Sequence, residues 1–304
     1  MKRAWSIVWK IALVCGVAGI VLTLVGLSRG WPQSVAWGSE GARVAKSQDI
    51  EIDQTVAPFT AVAVNVSVLD VNVVTGDHYG VAVHWPNTVR DVNVTDDNGT
   101  LKVNDTGPRM VMTWYGDNGG TVTITVPNQT TLASIDVTSG TGNVSASAPA
   151  QSANLTSSTG DVDLTATADQ ALLRSSTGKV GANADIASLN ATSSTGDVTL
   201  AGQFGTIEDA TSSTGNVSVS GSATSVKAST STGNVTISLS AAWAATTYSL
   251  DTDTGRIVTG GPGAPSVSGG GAGNHHLSGT ASGAQTLALT ANSSTGDVSL
   301  TLGG

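Results

Sequence analysis

Two patterns of apolar residues divide the chain. Ile11 to Leu27 is one unbroken run without a charge. Beyond it, apolar residues alternate with polar ones in short stretches punctuated by glycine, the period-two signature of half-buried strands. The alternation itself recurs. Thr-Gly, followed by Asn, Asp, Lys or Arg and then Val or Ile, places its glycine at Gly142, Gly160, Gly178, Gly196, Gly215, Gly233, Gly255 and Gly296. The first six are spaced by 18, 18, 18, 19 and 18 residues, and the last two steps, 22 and 41, predict a small insertion and then a larger one.

Seven and five residues before each glycine the chain is mostly apolar, as at Ile135 with Val137 and Ala153 with Leu155. Three before it stands a small hydroxyl: Ser139, Ser157, Ser175, Ser193, Ser212, Thr230 or Ser293. Two and four after it the chain is apolar again, as at Val162 with Leu164. Each repeat therefore reads strand, bend, strand. Strands this short bury an apolar face only by stacking on their neighbours. The expected fold is all-β, a parallel β-helix or β-solenoid with rungs of about 18 residues, spaced about 4.8 Å apart. Weaker copies precede it, Leu69 to Val73 before Thr75-Gly76-Asp77 and Val92 to Val94 before Asn98-Gly99. Ten to thirteen rungs would make a rod of roughly 50 to 60 Å. Its final rung, ending at Leu302-Gly303-Gly304, would present an unpaired edge open to self-association.

Residues after the corner glycines stack in register, and two carboxylates about 4.8 Å apart in water repel by about 0.9 kcal/mol. Read in chain order they are Asn143, Asp161, Lys179, Asp197, Asn216, Asn234 and Arg256. No two acids are adjacent. A calcium ladder or a catalytic carboxylate pair would cluster its acids, so this column reads as structural, with Lys179→Asp expected to lower the thermal midpoint without creating tight calcium binding.

Composition fits a narrow interior. The 304 residues include 37 Gly but two Phe, three Met and three Tyr, and 12% are charged. Four of the seven tryptophans, Trp5, Trp9, Trp31 and Trp37, flank the apolar run, where membrane-interface aromatics belong. At about 1.5 Å per residue the run spans roughly 25 Å as a helix, at the short end for a bilayer. Lys2, Arg3 and Lys10 precede it and Arg29 follows, so the charge bias keeps the N-terminus inside and exports the rest. Residues 1–30 thus read as a cytoplasmic end with a transmembrane anchor, 31–58 as stalk and cap, and 59–304 as the repeat domain with a Gly-rich insertion at 260–283. A cleaved signal peptide ending near Ser34-Val35-Ala36 is the competing reading. The only cysteine, Cys15, lies in the run, so the exported part has no disulfide. That part carries all 22 acids, a net charge near −13, and has no basic stripe, which excludes nucleic acid as a partner.

The opening Phe59 to Val66, Val73-Val74-Thr75-Gly76-Asp77 with Val81-Ala82-Val83, the Ser-Ser-Thr-Gly-Asp-Val repeats and the ending His276-Leu277-Ser278-Gly279 resemble a known family. It comprises bacterial surface proteins of β-strand repeats, named as candidate adhesins and otherwise of unknown function. The resemblance covers roughly Phe59 to the C-terminus. It implies a parallel β-helix, surface exposure and frequent attachment by one N-terminal membrane helix, with some relatives in envelope-stress systems of Gram-positive bacteria. The family has no agreed catalytic residues, so none carries over.

Residues that carry chemistry elsewhere are sparse. His275-His276 sits in a Gly-rich stretch without an acid or cysteine, short of a metal set, and reads as a pair of loop histidines. No serine stands in a nucleophile elbow. Gly269-Gly270-Gly271-Ala272-Gly273-Asn274 lacks the register of a calcium β-roll. Asn-x-Ser/Thr sequons, as at Asn143, Asn216 and Asn234, follow from a corner Asn beside a hydroxyl-rich strand and carry no weight. Trp114-Tyr115 beside a Gly/Asn loop, and Trp243 with Tyr248, offer either sugar stacking or a plug for the ends of the stack. The expected function is a membrane-anchored, non-catalytic interaction module of the cell surface, without cofactor or metal. Its partner would be a protein or a cell-envelope polymer, met by Trp114, Tyr115, Trp243, His275 or His276. The alternative is an envelope-stress regulator binding a membrane partner or a cationic peptide; a polysaccharide-degrading β-helix enzyme comes third.

Overall fold

The structure, a computed structural model, describes residues 34–38, 41–45, 48–107, 110–113, 119–266 and 273–303. The apolar run and its expected anchor lie outside the described residues, as do Trp114 and Tyr115. Among the described residues no helix is long and apolar enough to cross a membrane. The chain divides into two units. In the smaller, Ser34–Gly38 pairs antiparallel with both Gly41–Ala45 and Met110–Thr113.

The larger unit is all-β and largely parallel, built as two stacks of strands. One stack holds Leu132–Thr141, Ala150–Thr159, Ala168–Thr177, Ile186–Thr195, the second half of Val198–Thr214, and Ser225–Thr232. The other holds Val144–Ala146, Val162–Leu164, Val180–Asn183, the first half of Val198–Thr214, Val217–Ser222 and Val235–Leu239. Register follows the sequence repeat, with Ile135 beside Ala153, Ala153 beside Ala171 and Ala171 beside Leu189. The alternation explains it: Leu155, Leu173, Leu189 and Ile207 from one stack meet Leu164, Val180, Val198 and Leu200 from the other, all buried. The one 19-residue step is absorbed as a bulge, the register slipping between Ile207 and Ala210. The largest buried side chains, Trp85 and Phe59, fall outside the regular rungs.

Both ends depart from sequential stacking. Ala61–Val66 and Leu69–Gly76 form the rung beside Leu132–Thr141 and Val144–Ala146. Farther out, Thr100–Thr106 lies parallel to Ala61–Val66, and Gly120–Pro127 lies parallel to Leu69–Gly76 and antiparallel to Gly80–Thr88. Thr75-Gly76 and Asn98-Gly99 are therefore not rung corners. Gly76 continues a strand opposite Pro127, and Asn98-Gly99, with φ of 53° and 78°, makes the tight turn from Asp91–Asp97 into Thr100–Thr106, where two positive φ values favour Asn-Gly.

At the other end the expected unpaired final rung is corrected. Leu287–Thr295 lies between Ser225–Thr232 and Thr246–Gly255. Val298–Leu302 lies between Val235–Leu239 and Ile257–Gly260. The rung that comes last in sequence is interior, because the chain leaves Leu239, passes over one rung spacing, builds Thr246–Gly260 outermost and then returns. Gly273–Gly279 folds back antiparallel on Thr246–Gly255. The expected loop histidines thus belong to a strand, His275 opposite Thr252 and His276 opposite Asp251.

Candidate functional site

The corner after each Thr-Gly is held by two ladders. In the first, the hydroxyl three residues before each glycine is buried and donates to the corner carbonyl of the preceding rung. Ser157 Oγ donates to the Gly142 carbonyl, Ser175 to Gly160, Ser193 to Gly178 and Ser212 to Gly196, each at 2.8 Å. Thr230, Ser293 and Thr252 do the same to Gly215, Gly233 and Gly296, also at 2.8 Å. The narrow interior thus carries a column of satisfied hydroxyls, which is why serine rather than alanine occupies that position.

In the second ladder, the side-chain oxygen after each glycine accepts the backbone N–H of its counterpart on the next rung. Asn143 Oδ1 accepts from Asp161 at 2.8 Å, Asp161 from Lys179 at 2.7 Å, Asp197 from Asn216 at 2.8 Å and Asn216 from Asn234 at 2.9 Å. Asn234 then accepts from Asp297, and Asp297 from Arg256. Asp70 begins the column, accepting from Asn143 at 2.6 Å. The spatial order is therefore Asp70, Asn143, Asp161, Lys179, Asp197, Asn216, Asn234, Asp297, Arg256. No two carboxylates are adjacent in it either. One oxygen of each is engaged by a backbone N–H, and among the described residues no cluster of three metal-ligating side chains occurs.

Lys179 interrupts this ladder, since an ammonium cannot accept the Asp197 N–H. Lys179→Asn is expected to raise stability by about 1 kcal/mol by supplying the missing acceptor. Lys179→Asp supplies the same acceptor but sets a carboxylate between Asp161 and Asp197, at about 0.9 kcal/mol of repulsion each in water. Its thermal midpoint should fall below that of Lys179→Asn at pH 7, and the gap should close in molar salt. Parallel melts of the two variants read this directly.

The end of the column has its own ion pair. Arg256 Nη2 lies 3.0 Å from Asp297 Oδ2. The Arg256 guanidinium bond, then the Arg256 backbone N–H, hold the Asp297 carboxyl below its ordinary value of 3.8. A depressed folded-state value adds stability above the unfolded value and loses it as pH falls through the folded one. Arg256→Met should therefore melt lower than the native chain at pH 6, and the difference should start to shrink as pH drops below about 3.8 and vanish below the lowered folded-state value. Equal differences at pH 6 and pH 2.5 would contradict this role.

At the opposite corner an open groove of about 640 Å³ crosses several rungs. Its lip is Thr167, Asp185, Gln203 and Ser222, and its floor is Ala150, Ala168, Ile186 and Phe204. A small residue makes the recess: Ala187 stands where earlier rungs carry Gln151 and Asp169, while Gly205 permits close approach of the rungs, since a Cβ there would lie 2.4 Å from the Ala187 carbonyl oxygen. The groove combines polar rims with an apolar floor. Its ionisable lining groups are Asp169, which is exposed, and Asp185, whose Oδ1 accepts the Gln203 N–H at 3.1 Å.

The remaining expected contact residues are placed at the end of the stack. Trp243 is buried, donates Nε1–H to the Gly260 carbonyl at 3.1 Å and meets Tyr248 edge-on at 5.2 Å. It is unavailable for sugar stacking. His276 is exposed, with Nδ1 2.5 Å from Asp251 Oδ1, and His275 is half-buried on the same strand. His84 pairs with Glu51 at 2.6 Å. Sequence reading missed Asp70, the groove and the Trp243 hydrogen bond. Asp70 follows Leu69, not a glycine; the available signal was its place in the frame of the later rungs.

These corners and stacks fall within residues 59–301, the stretch matched by the model of the family Toastrack DUF4097. The chain belongs to this family. The Toastrack DUF4097 stretch holds both ladders, the groove and the Trp243 end. Among solved structures it is similar to a "putative adhesin" from Bacteroides fragilis, at 16% identity and a TM-score of 0.40, covering 83% of this chain and 97% of that one. A "putative cell adhesion protein" from Clostridium sporogenes shares 11% identity over 84% of this chain and 100% of that one, with a TM-score of 0.31. A "putative lipid binding protein" from Parabacteroides distasonis shares 12% over 83% and 96%, with a TM-score of 0.38. No curated protein matches the chain.

Proposed function

We propose that this Toastrack DUF4097 chain is a non-catalytic interaction module of the cell surface, a β-solenoid carried by a single N-terminal membrane helix and engaging a protein or a cell-envelope polymer. The observation that carries this reading is the engagement of its polar groups. Corner carboxylates and amides accept backbone N–H groups, and the buried hydroxyls donate to glycine carbonyls. Such residues hold rungs in register and leave the outer faces as a rigid display surface. The apolar run with its flanking tryptophans and basic residues supports the anchor and the outward orientation.

The regulatory alternative, binding of a cationic peptide, is favoured by the net charge of −9 and by Asp169 and Asp185 in a groove lined by no base. One experiment separates the readings. The full chain in lipid nanodiscs is offered isolated cell-wall polymer and, separately, a cationic amphipathic peptide, with Ala187→Trp as the groove-blocked variant. Retention on polymer supports the display reading. Peptide binding that Ala187→Trp weakens at least tenfold supports the regulatory one. Release of soluble sugar from the polymer would overturn both and favour the hydrolase.

A further inference from the structure

The final rung is held on both sides by elements that precede it. Ser293 Oγ donates to the Gly233 carbonyl and Asp297 N–H to Asn234 Oδ1 on one side. On the other, Thr252 Oγ1 donates to the Gly296 carbonyl and Arg256 N–H to Asp297 Oδ1. The sequence matches the placement: Ser293-Ser294-Thr295-Gly296-Asp297-Val298 repeats the interior signature of Ser193 to Val198, whereas the outermost rung reads Thr252-Asp253-Thr254-Gly255-Arg256-Ile257. The walls of the slot are therefore complete in sequence by Gly260, and until the last rung arrives they present two facing, unpaired strand edges. The connection from Gly279 to Leu287 is exposed over Ser282 to Thr286, and a side chain on Gly283 would meet nothing within 4 Å.

We propose that Leu287–Leu302 is an exchangeable rung: the slot between Ser225–Leu239 and Thr246–Gly260 accepts the same rung from a second copy of this chain, giving a reciprocal dimer. Every contact across the slot is the same whether rung and walls belong to one chain or two, so the balance rests on the 280–286 hinge and on concentration. The dimer differs from edge-to-edge association, which leaves each final rung in its own slot. It does not depend on what the display surface binds.

The test uses the full chain in detergent with Cys15→Ser. Ser229→Cys and Asn292→Cys are register neighbours across the slot wall, at a strand spacing of about 4.8 Å that a disulfide can bridge. Ser152→Cys with Gln170→Cys is the matching pair between rungs that follow directly in sequence. Each double variant is unfolded, refolded over a hundredfold range of concentration, oxidised and run on a non-reducing gel. The 229/292 pair is expected to give a covalent dimer whose fraction rises at least tenfold across the range, while the 152/170 pair stays monomeric. Deleting Ser282 and Gly283 should raise the dimer fraction further by tightening the hinge. Intramolecular links alone at every concentration, or equal dimer from both pairs, overturns the proposal. If the cysteine variants do not refold, the Cys15→Ser chain without added cysteines, refolded over the same range, is weighed by light scattering. A dimer that persists for hours after dilution sustains the proposal, and a monomer or a dimer that dissociates at once overturns it.

Discussion

Gly196→Ala is expected to destabilise the larger unit by about 4 kcal/mol, a fall in thermal midpoint of roughly 8 to 16 °C. The residue sits at φ +143°, and an added Cβ would lie 2.1 Å from the Gly178 carbonyl oxygen and 2.5 Å from its carbon. Both are backbone atoms of the rung below, so no rotamer change relieves the clash. Moving the corner also strains the Ser193 bond to Gly178, the Ser212 bond to Gly196 and the Gly196 N–H bond to Thr214. Gly283→Ala is the control, with open space around it, and should change stability by less than about 0.5 kcal/mol. Urea or thermal unfolding of the two variants measures the contrast, and similar midpoints would mean that the corner yields far more readily than close backbone stacking implies.

Removing residues 285–304 is expected to unravel strands that remain in the chain. The deletion takes away Leu287, Leu289, Ala291, Val298, Leu300 and Leu302, all buried, and leaves Thr246–Gly260 and Gly273–Gly279 without the rung that joins them to the stack. Each lost leucine alone represents about 1.5 to 3 kcal/mol of burial. Amide exchange should therefore rise to near-unprotected rates over 246–260 and 273–279, while Leu132 to Thr214 stays protected, since rungs couple chiefly to their neighbours. Retained protection over those strands would show that they hold by themselves.

The repeat was legible because its rules are local. Corner glycine, hydroxyl three before it, and alternating Val, Leu and Ala give strand, bend and strand from any one copy, and a constant step gives parallel register. Stacking order is not local. The corners Thr254-Gly255-Arg256 and Thr295-Gly296-Asp297 fit the same frame, and the frame alone does not rank them in the stack; the departure of Asp253 and Arg256 from the interior signature is the one local mark, and the order itself depends on a connection of forty residues finding an edge to cover. The groove was hidden for a related reason. Ala187 is unremarkable singly and becomes a recess only when set in register with Gln151 and Asp169 of neighbouring rungs. His275 and His276 lie against a glycine-rich run that masks a strand whose pairing is supplied by Thr246–Gly255. Asp70 escaped because the Leu69 carbonyl stands in for the glycine carbonyl of later corners, accepting Ser139 Oγ at 2.9 Å.

The corner ladder has a direction, since each side-chain oxygen serves the N–H of the following rung and never the reverse. A stack of near-identical rungs with such polarity resembles the growing tip of a fibril, ready to template one more layer. Arg256 closes that tip. In the outermost rung it takes the last acceptor from Asp297 and returns its guanidinium to the same carboxylate, so it offers no oxygen to a newcomer and presents positive charge instead. The column thus ends on a paired cation rather than on an open acceptor, so at this corner an added rung would find no side-chain oxygen to receive its N–H.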